Sequence, residues 1–223
     1  MAFKRGNEVT RWLTIEKIAT KLYRGFGIKK DQAIEGVGYP CVRYGWIHIS
    51  NLIYFDKCQF GIDETLIKNK RYASKGDILF AIISENTNDI EKAIAYIGEK
   101  DILVGDGVVV MKHNQNPKYL AYALSTTNAQ KQKSQGKIKL RVVNSGVPHI
   151  KKLTLPIPSL AKQEEIVNLL DKFWKLSKEL EKELEKELNL RKQQYEYYRD
   201  ELLSFKQDNK IEWLALKDIC NLQ

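Results

Sequence analysis

The residue types that most often carry out catalysis or bind metals are present in this sequence, but they are scattered. Its histidines and cysteines share none of the short spacings that zinc sites use; they are His48, His113, His149, Cys41, Cys58 and Cys220. No Gly-rich phosphate loop precedes a Lys-Ser or Lys-Thr pair. Neither the Asn/Asp-Pro-Pro-aromatic motif of adenine methyltransferases nor a Pro-Asp and Glu-x-Lys nuclease pattern occurs. The sequence therefore predicts no catalytic residue, no metal site and no cofactor.

Positive charge is concentrated in the first part of the chain. The whole chain carries 37 Lys and Arg residues against 28 Asp and Glu residues. Residues 1–160 have a net charge of +11, whereas residues 161–223 have a net charge of −2. No acidic residue occurs between Asp106 and Glu164. Because phosphate backbones are bound through such basic fields, this distribution favours a nucleic-acid partner. A basic surface that serves only solubility is the alternative.

The pattern of apolar residues predicts an α+β domain over residues 1–158. Short apolar runs bounded by glycines indicate strands at residues 46–49, 77–83 and 107–111. A helix is expected at residues 117–124, where Pro117 suits the first turn. Later strands are expected at residues 142–143 and 150–155. Gly105-Asp106-Gly107 is typical of a tight turn.

A long helix is expected over residues 159–206. The prolines of residues 155–158 favour a stiff extended hinge, and Ser159 then stands where a helix N-cap belongs. Neither Pro nor Gly follows as far as Phe205, and the helix would be a rod of roughly 70 Å. Its apolar residues recur at steps of three and four, apart from one step of seven that Arg191 divides: Ile166, Leu169, Phe173, Leu176, Leu180, Leu184, Leu188, Tyr195, Tyr198 and Leu202.

Such a stripe is typical of a coiled coil, with a stutter in the heptad pattern at Leu180, Leu184 and Leu188. A helix with one apolar stripe needs a partner helix in water. The alternative is that the helix folds back on its own domain. We expect a second copy of the chain to supply that partner helix, which would make the protein a homodimer.

The end of the chain repeats part of its beginning. Residues 212–219 match residues 11–18 at Trp, Leu, an aliphatic residue and Ile, with one constant offset. The copy follows directly on the expected helix. We therefore interpret residues 207–223 as the start of a second domain-like repeat.

Two basic segments are candidates for contacts with DNA. Reading bases needs polar side chains on loops within a basic rim. The first segment supplies Lys21, Tyr23, Arg24, Arg43 and Tyr44, and the second, expected to be a flexible loop, supplies Lys131, Lys133, Lys137, Lys139 and Arg141. For each residue the alternative is a solvated basic side chain.

Two motifs make the chain similar to a known family. Residues 155–167, Leu-Pro-Ile-Pro-Ser-Leu-Ala-Lys-Gln-Glu-Glu-Ile-Val, resemble the junction between domain and spacer helix in the specificity subunits of type I restriction enzymes. Residues 190–205 resemble the end of that spacer. Lys162 stands where the family usually has an acidic residue. Residues 12–18, 75–79 and 116–120 fit the recognition domain of the same family. The match covers nearly the whole chain, and the helix motifs are more specific than these domain motifs.

The resemblance implies a non-catalytic, sequence-specific reader of double-stranded DNA. A full specificity subunit has two such domain–helix halves in tandem, and its spacer helices pair antiparallel. Each domain reads half of a bipartite site. Separate modification (methyltransferase) subunits methylate adenine, and a restriction motor subunit cuts DNA. This chain contains one half, so it is either a natural half-subunit or the first half of a longer or truncated subunit. We expect it to form a homodimer by an antiparallel coiled coil.

Other functions stay open on the sequence alone. One alternative is a fragment of a single-chain restriction or methylation enzyme, and another is a coiled-coil adaptor that reads no sequence. The first residues contain no apolar signal stretch, and no run approaches the about 18 apolar residues of a membrane span. Together with the unpaired cysteines, this leads us to expect a cytoplasmic protein that does not interact with membranes.

Overall fold

The computed structural model describes residues 10–85, 89–135, 143–204 and 214, and the structural statements below refer to these residues. The expected α+β class with a long C-terminal helix is confirmed. The strands are β1 (Arg11–Thr14), β2 (Ala19–Arg24), β3 (Ile34–Glu35), β4 (Tyr39–Val42), β5 (Tyr54–Phe55), β6 (Phe60–Ile62), β7 (Tyr72–Ala73), β8 (Ile78–Ala81), β9 (Ile83–Ser84), β10 (Lys92–Tyr96), β11 (Ile102–Val104), β12 (Val108–His113), β13 (Val143–Asn144) and β14 (Thr154–Ile157). The helices are α1 (Ile15–Ile18), α2 (Tyr44–Ile49), α3 (Pro117–Leu124), α4 (Thr127–Ser134), α5 (Val147–Ile150) and α6 (Leu160–Leu203).

Two five-stranded sheets form the body of the first compact unit, which extends to Leu169. One has the strand order β2-β12-β8-β10-β5 and the other β3-β6-β4-β11-β7. Strand β8 lies inside the first sheet and is buried along its whole length. Its residues alternate between two clusters of the core: Ile78 and Phe80 contact one, and Leu79 and Ala81 the other. This alternation follows from the two-residue period of a strand.

The two core clusters lie on opposite faces of the first sheet. The cluster with Leu79 also holds Val42 and Val104 from the second sheet, so it lies between the two sheets. The cluster with Phe80 also holds Leu120 and Leu124 of α3. The first sheet is therefore covered by the second sheet on one side and by helices on the other.

The first strand and the last strand of this unit pair with each other. Strand β1 runs antiparallel to β14, with Trp12 opposite Pro156. The Tyr119 hydroxyl on α3 donates a hydrogen bond of 2.6 Å to the carbonyl of Pro156. The proline-rich segment, expected to be a hinge, is thus a strand that returns the chain to its beginning before α6 starts.

The first turns of helix α6 pack on the rest of the first unit through Val167, which is buried in the core, and through one buried amide side chain. Gln163 is fully buried, and its Oε1 accepts a hydrogen bond of 3.0 Å from the backbone N–H of Asn116. Its Nε2 donates to Gln115 Oε1 at 2.8 Å and to the carbonyl of Pro158 at 2.9 Å. The hydroxyl of Ser159 accepts from the N–H of Lys162 at 3.4 Å, so the expected N-cap is present.

The second compact unit begins at Leu170 and contains the rest of α6. Most of its large apolar side chains are exposed to solvent. The following are all more than half exposed: Phe173, Leu176, Leu180, Leu184, Leu188, Leu190, Tyr195, Tyr197, Tyr198, Leu202 and Leu203. None of the described helices is both long enough and apolar enough to span a membrane.

Several elements expected from the sequence are confirmed. Helix α3 has the expected bounds, and the Asn116 side chain caps it by accepting from the N–H of Tyr119. The strand expected at residues 107–111 is β12. The strand expected at residues 77–83 is present as β8, followed by the short strand β9. Of the strand expected at residues 142–143, Val143 lies in β13 and residue 142 lies outside the described residues.

Three local predictions were wrong. Residues 46–49 belong to helix α2, which buries Ile47 and packs the Trp46 ring against Phe55 with centroids 4.8 Å apart. Ile150 ends helix α5, and the strand begins only at Thr154. Residues 131–134 form the end of helix α4, not a flexible loop. The 212–219 repeat lies outside the described residues except for Leu214.

The helical state of residues 44–49 predicts the effect of substitutions at Gly45. A Cβ at Gly45 meets no atom within 4 Å. Gly45→Ala should therefore raise the free energy of unfolding by about 0.5–1 kcal/mol, because alanine loses less entropy in a helix than glycine. Gly45→Val should stabilise less, because β-branched residues are disfavoured in helices. Urea denaturation measures both, and a larger gain from valine would contradict the helix.

A matched control is Gly25→Ala. There a Cβ would lie 2.2 Å from the carbonyl oxygen of Gly105, which is backbone and cannot move aside cheaply. This variant should lose about 2 kcal/mol or more.

Candidate nucleic-acid interface

Three of the sequence-predicted residues surround one tight turn. The turn at Gly105–Gly107 joins β11 to β12 and is closed by a hydrogen bond of 3.1 Å from Val108 N–H to the Gly105 carbonyl. Arg24 Nε donates to the carbonyl of Asp106. A Cβ at Gly107 would lie 2.2 Å from the Tyr44 ring, so that ring packs directly on the turn. Glycine is required at position 107 because this ring approaches so closely.

Arg43 belongs to the same region. Its Nε donates a hydrogen bond of 3.3 Å to the carbonyl of Ile28, and its Cγ is 3.5 Å from the position of a Cβ at Gly105. In the part of the chain that the structure describes, Arg24 and Arg43 each use Nε to bind a carbonyl and make no hydrogen bond through their terminal nitrogens. Each guanidinium is thereby held in place while most of its donors stay available for an anion.

Basic and aromatic side chains alternate along β2 and the residues that follow it, up to Lys29. Phe26 is about half exposed at 48%, and Lys29 is exposed. On β2 itself, Lys21 is exposed, with its Nζ 5.4 Å from the centre of the Tyr23 ring. Such alternation provides cations for phosphates and flat rings for bases or sugars. Sequence reasoning did not single out Phe26.

Tyr23 serves a structural purpose within this region. Its hydroxyl donates a hydrogen bond of 2.5 Å to the carbonyl of Tyr72 on β7, so it connects the edge strands of the two sheets. Burial, with a further contribution from the charge of Asp77, raises the pKa of Tyr23 to about 12. The phenol is therefore protonated near neutral pH and remains a donor in this bond.

Two lysines that the sequence predicts to contact DNA, Lys131 and Lys133, differ in exposure on helix α4. Lys131 is exposed, as contact with DNA requires. Lys133 is 1% exposed, and its Nζ donates a hydrogen bond of 2.7 Å to the carbonyl of Leu124. A buried ammonium bound to a carbonyl does not reach a phosphate, so the prediction for Lys133 is corrected. Its charge supports the end of α3 instead.

The other predicted contacts, Lys137, Lys139 and Arg141, lie outside the described residues, but the chain on both sides of them is firmly held. Before them, the Gln132 amide accepts from the N–H of Thr154 at 2.8 Å and donates to its carbonyl at 3.1 Å. After them, Ser145 N–H donates to the carbonyl of Ile82 at 2.8 Å. The described residues on both sides of this segment thus belong to the folded domain.

Glu91 is a residue that sequence reasoning missed. It is fully buried, has a positive φ of 56°, and accepts hydrogen bonds from the Ser145 hydroxyl and, at 2.7 Å, from His149 Nδ1. A buried carboxylate on a residue with a left-handed backbone conformation is unfavourable, and it persists only where its hydrogen-bond partners compensate for that free energy. No local sequence signal marks it, because Ser145 and His149 are more than 50 residues away in the chain.

An acidic cavity lies in the same unit. It has a volume of about 970 Å³, and Val37, Gly38 and Pro40 contribute to its walls. Its charged lining consists of four acidic residues and one lysine: Asp63, Glu64, Glu99, Asp101 and Lys100. Carboxylates repel phosphates, so this surface does not suit a nucleic-acid backbone. Among the described residues, no group of three or more His, Cys, Asp and Glu side chains is placed to hold a metal ion.

Comparison with known proteins gives a consistent result. The family model for the type I restriction modification DNA specificity domain matches residues 14–190. The type I restriction enzyme EcoR124I/EcoR124II specificity subunit of Escherichia coli is 50% identical over 74 residues, which are 31% of this chain and 17% of that protein. A putative type I restriction enzyme specificity subunit of Haemophilus influenzae, S.HindORF215P, is 35% identical over 137 residues, which are 60% of this chain and 33% of that protein.

Solved structures show the same fold at low sequence identity. The HsdS subunit from Thermoanaerobacter tengcongensis has a TM-score of 0.52 at 16% identity, covering 79% of this chain and 39% of that one. A chain from a type I R-M system, solved for its complex assembly and conformational transition, has a TM-score of 0.60 at 16% identity, covering 86% of this chain and 45% of that one. The chain thus spans less than half the length of each of these proteins.

The burial of Glu91 predicts a large effect of a small change. Glu91→Gln keeps the shape of the side chain but removes the charge that Ser145 and His149 bind. The free energy of unfolding in urea should fall by about 1–3 kcal/mol, because a neutral amide oxygen accepts these hydrogen bonds more weakly than a carboxylate does, and the amide NH2 brings further donors into a buried position. The control is Glu99→Gln, whose carboxylate is 82% exposed and pairs with Lys75 at the surface; it should change stability little. Equal effects of the two substitutions would contradict the anchoring role of Glu91.

Proposed function

Because this chain belongs to the family of type I restriction modification DNA specificity domains, we propose that it is a sequence-specific DNA-recognition subunit of a type I restriction–modification system. Its first compact unit reads one half of a bipartite target in double-stranded DNA. The observation that carries this proposal is the family match over residues 14–190. The basic charge of the same part of the chain supports it independently.

The placement of charge supports a DNA-binding surface around the Gly105–Gly107 turn. Arg24 and Arg43 are held there by backbone carbonyls, and Lys21 lies exposed along β2. The carboxylates of the acidic cavity at Asp63 and Glu64 repel phosphates, so this cavity is not part of the proposed surface.

Catalysis is assigned to other subunits in this proposal. The chain contributes recognition, and separate modification (methyltransferase) subunits and a restriction motor subunit act on the DNA it has bound. The competing hypothesis is that the chain itself cleaves or methylates. Incubation of the purified chain with DNA, magnesium ions and a methyl donor should yield neither product, and either product would refute the proposed division of labour.

The exposed stripe of α6 supports self-association. Eight stripe residues, from Phe173 to Leu202, are more than half exposed in the single chain. Ile166, by contrast, packs partly against the core of its own domain, and Leu169 is only partly exposed. We propose that a second copy covers the stripe in an antiparallel coiled coil. Two readers related by a two-fold axis would recognise an interrupted palindrome.

DNA affinity should depend steeply on salt, and the basic segment should account for part of that dependence. Replacing Lys137, Lys139 and Arg141 with alanine should weaken binding to random duplex DNA. It should also reduce the slope of log affinity against log salt by about 0.9 for each phosphate that is no longer neutralised. Fluorescence anisotropy from low to moderate salt measures both quantities.

Lys100→Ala is the matched control, because Lys100 lies in the acidic cavity. It should leave the slope unchanged. An unchanged slope in the triple variant would show that residues 137–141 do not bind phosphates.

Dimerisation should depend on the stripe and not on apolar residues elsewhere on α6. Leu184→Asp places two charges in the proposed interface and should convert the dimer to a monomer in sedimentation at micromolar concentration. Leu190 is as exposed as the stripe residues but lies off the stripe, so Leu190→Asp should leave the dimer intact. A parent chain that is monomeric would contradict the proposed homodimer.

A further inference from the structure

The spacing of the stripe on α6 reads the same in both directions. From Ile166 to Tyr198, counting Arg191 as a stripe position, the steps are 3, 4, 3, 4, 4, 4, 3, 4 and 3. The centre of this palindrome is residue 182, between Leu180 and Leu184. The helix itself extends from Leu160 to Leu203, so its midpoint lies within one residue of the same place.

The three central steps of four form the stutter, and a stutter constrains its partner. In a regular heptad repeat, the apolar stripe drifts slowly in one direction around the helix. A step of four in place of a step of three moves the stripe in the opposite direction and locally unwinds the supercoil. Two paired helices must unwind at the same height to stay in contact. In an antiparallel pair of identical helices, the two stutters coincide only if the two-fold axis passes beside residue 182.

We infer that two copies pair antiparallel in this one register, an inference that rests on the homodimer proposed above. Leu180 then faces the partner's Leu184, and Leu176 faces the partner's Leu188. Further out, Leu169 faces the partner's Tyr195, and the partner's Tyr198 lies level with Ile166, which also packs partly against the core of its own domain. Because both helices are centred on the axis, they overlap along nearly their whole length and leave no stripe residue between these positions unpaired.

The register gives Arg191 a specific partner. It places the guanidinium beside the partner's Phe173, a ring that is 59% exposed in the single chain. A guanidinium over an aromatic face is favourable, and this contact would form twice in each dimer. Among the described residues of its own chain, Arg191 binds only Gln194 at 3.1 Å and Glu187 at 3.6 Å. Both contacts lie on the exposed surface of the helix, so Arg191 can turn to the partner at little cost.

The same residue excludes the parallel arrangement. A parallel pair in register would also align the two stutters, but it would set Arg191 against the partner's Arg191 at an interface position. Like charges in a partly desolvated interface are unfavourable, and a single polar residue at such a position can fix the orientation of a coiled coil. Arg191 and Phe173 together are therefore the determinants of antiparallel pairing.

Disulfide cross-linking tests the register directly. In chains with Cys58→Ser and Cys220→Ser, one preparation carries Leu176→Cys and a second, differently tagged, carries Leu188→Cys. Refolded together and mildly oxidised, they should form a mixed disulfide, whereas neither should cross-link alone. In the inferred register the two copies of residue 176 are separated by about 12 residues, or roughly 18 Å along the axis.

A conservative surface label provides a second measurement if the cysteine pairs impair folding. A spin label at Lys172→Cys, an exposed position, should report an intermolecular distance of roughly 30 Å, since the two labels lie about 20 residues apart along the axis. A parallel pair would bring the labels within about 15 Å, the width of two packed helices. Arg191→Leu removes the polar determinant and should make the Leu176→Cys chain cross-link to itself.

The outcomes separate the two proposals. A monomer in sedimentation overturns the homodimer and the register with it. A dimer in which Leu176→Cys cross-links to itself with Arg191 intact overturns the antiparallel register alone. A dimer without the mixed disulfide, and with a label distance far from roughly 30 Å, places the axis away from residue 182 and overturns the register as well.

Discussion

The junction at Gln163 is the interaction on which the arrangement of the chain depends. A fully buried amide that satisfies its acceptor and both donors ties the first turns of α6 to the start of α3 and to Pro158. An unsatisfied amide at this depth would be costly, so the three hydrogen bonds act as a unit. They hold the beginning of α6 within the first unit. Any constant spacing between two paired reading domains requires such a fixed origin.

The sequence predicts the parts of the fold whose signals are local. Helix α3 is recognisable from Pro117 and its apolar pattern, and α6 from its long stripe without Pro or Gly. The junction motif around residues 155–167 is also recognisable in the sequence, but the buried hydrogen bonds of Gln163 within it are not predictable. Helix α2 was mistaken for a strand because four apolar residues are too few to distinguish one period from another. The tertiary contact of Trp46 with Phe55 decides that segment.

The candidate site is less predictable because burial depends on contacts distant in the sequence. Lys131 and Lys133 look equivalent in a basic segment, yet one is exposed and the other is enclosed. The difference arises from the docking of α4, which Gln132 fixes to Thr154, 22 residues away. The burial of Glu91 is not predictable either, because its partners Ser145 and His149 are also distant in the sequence. Composition indicates a basic field over residues 1–160, and only the fold places Arg24, Arg43 and Tyr44 around one turn.

Selection of bound duplexes from a random DNA pool, followed by sequencing, tests the central claim that this chain reads DNA as a symmetric pair. A symmetric pair should recover one motif made of two identical half-sites in inverted orientation, separated by a gap of constant length. The gap is constant because the paired helices would hold the readers at a fixed distance. An asymmetric motif, a direct repeat, a variable gap or the absence of any motif would contradict the symmetric pair.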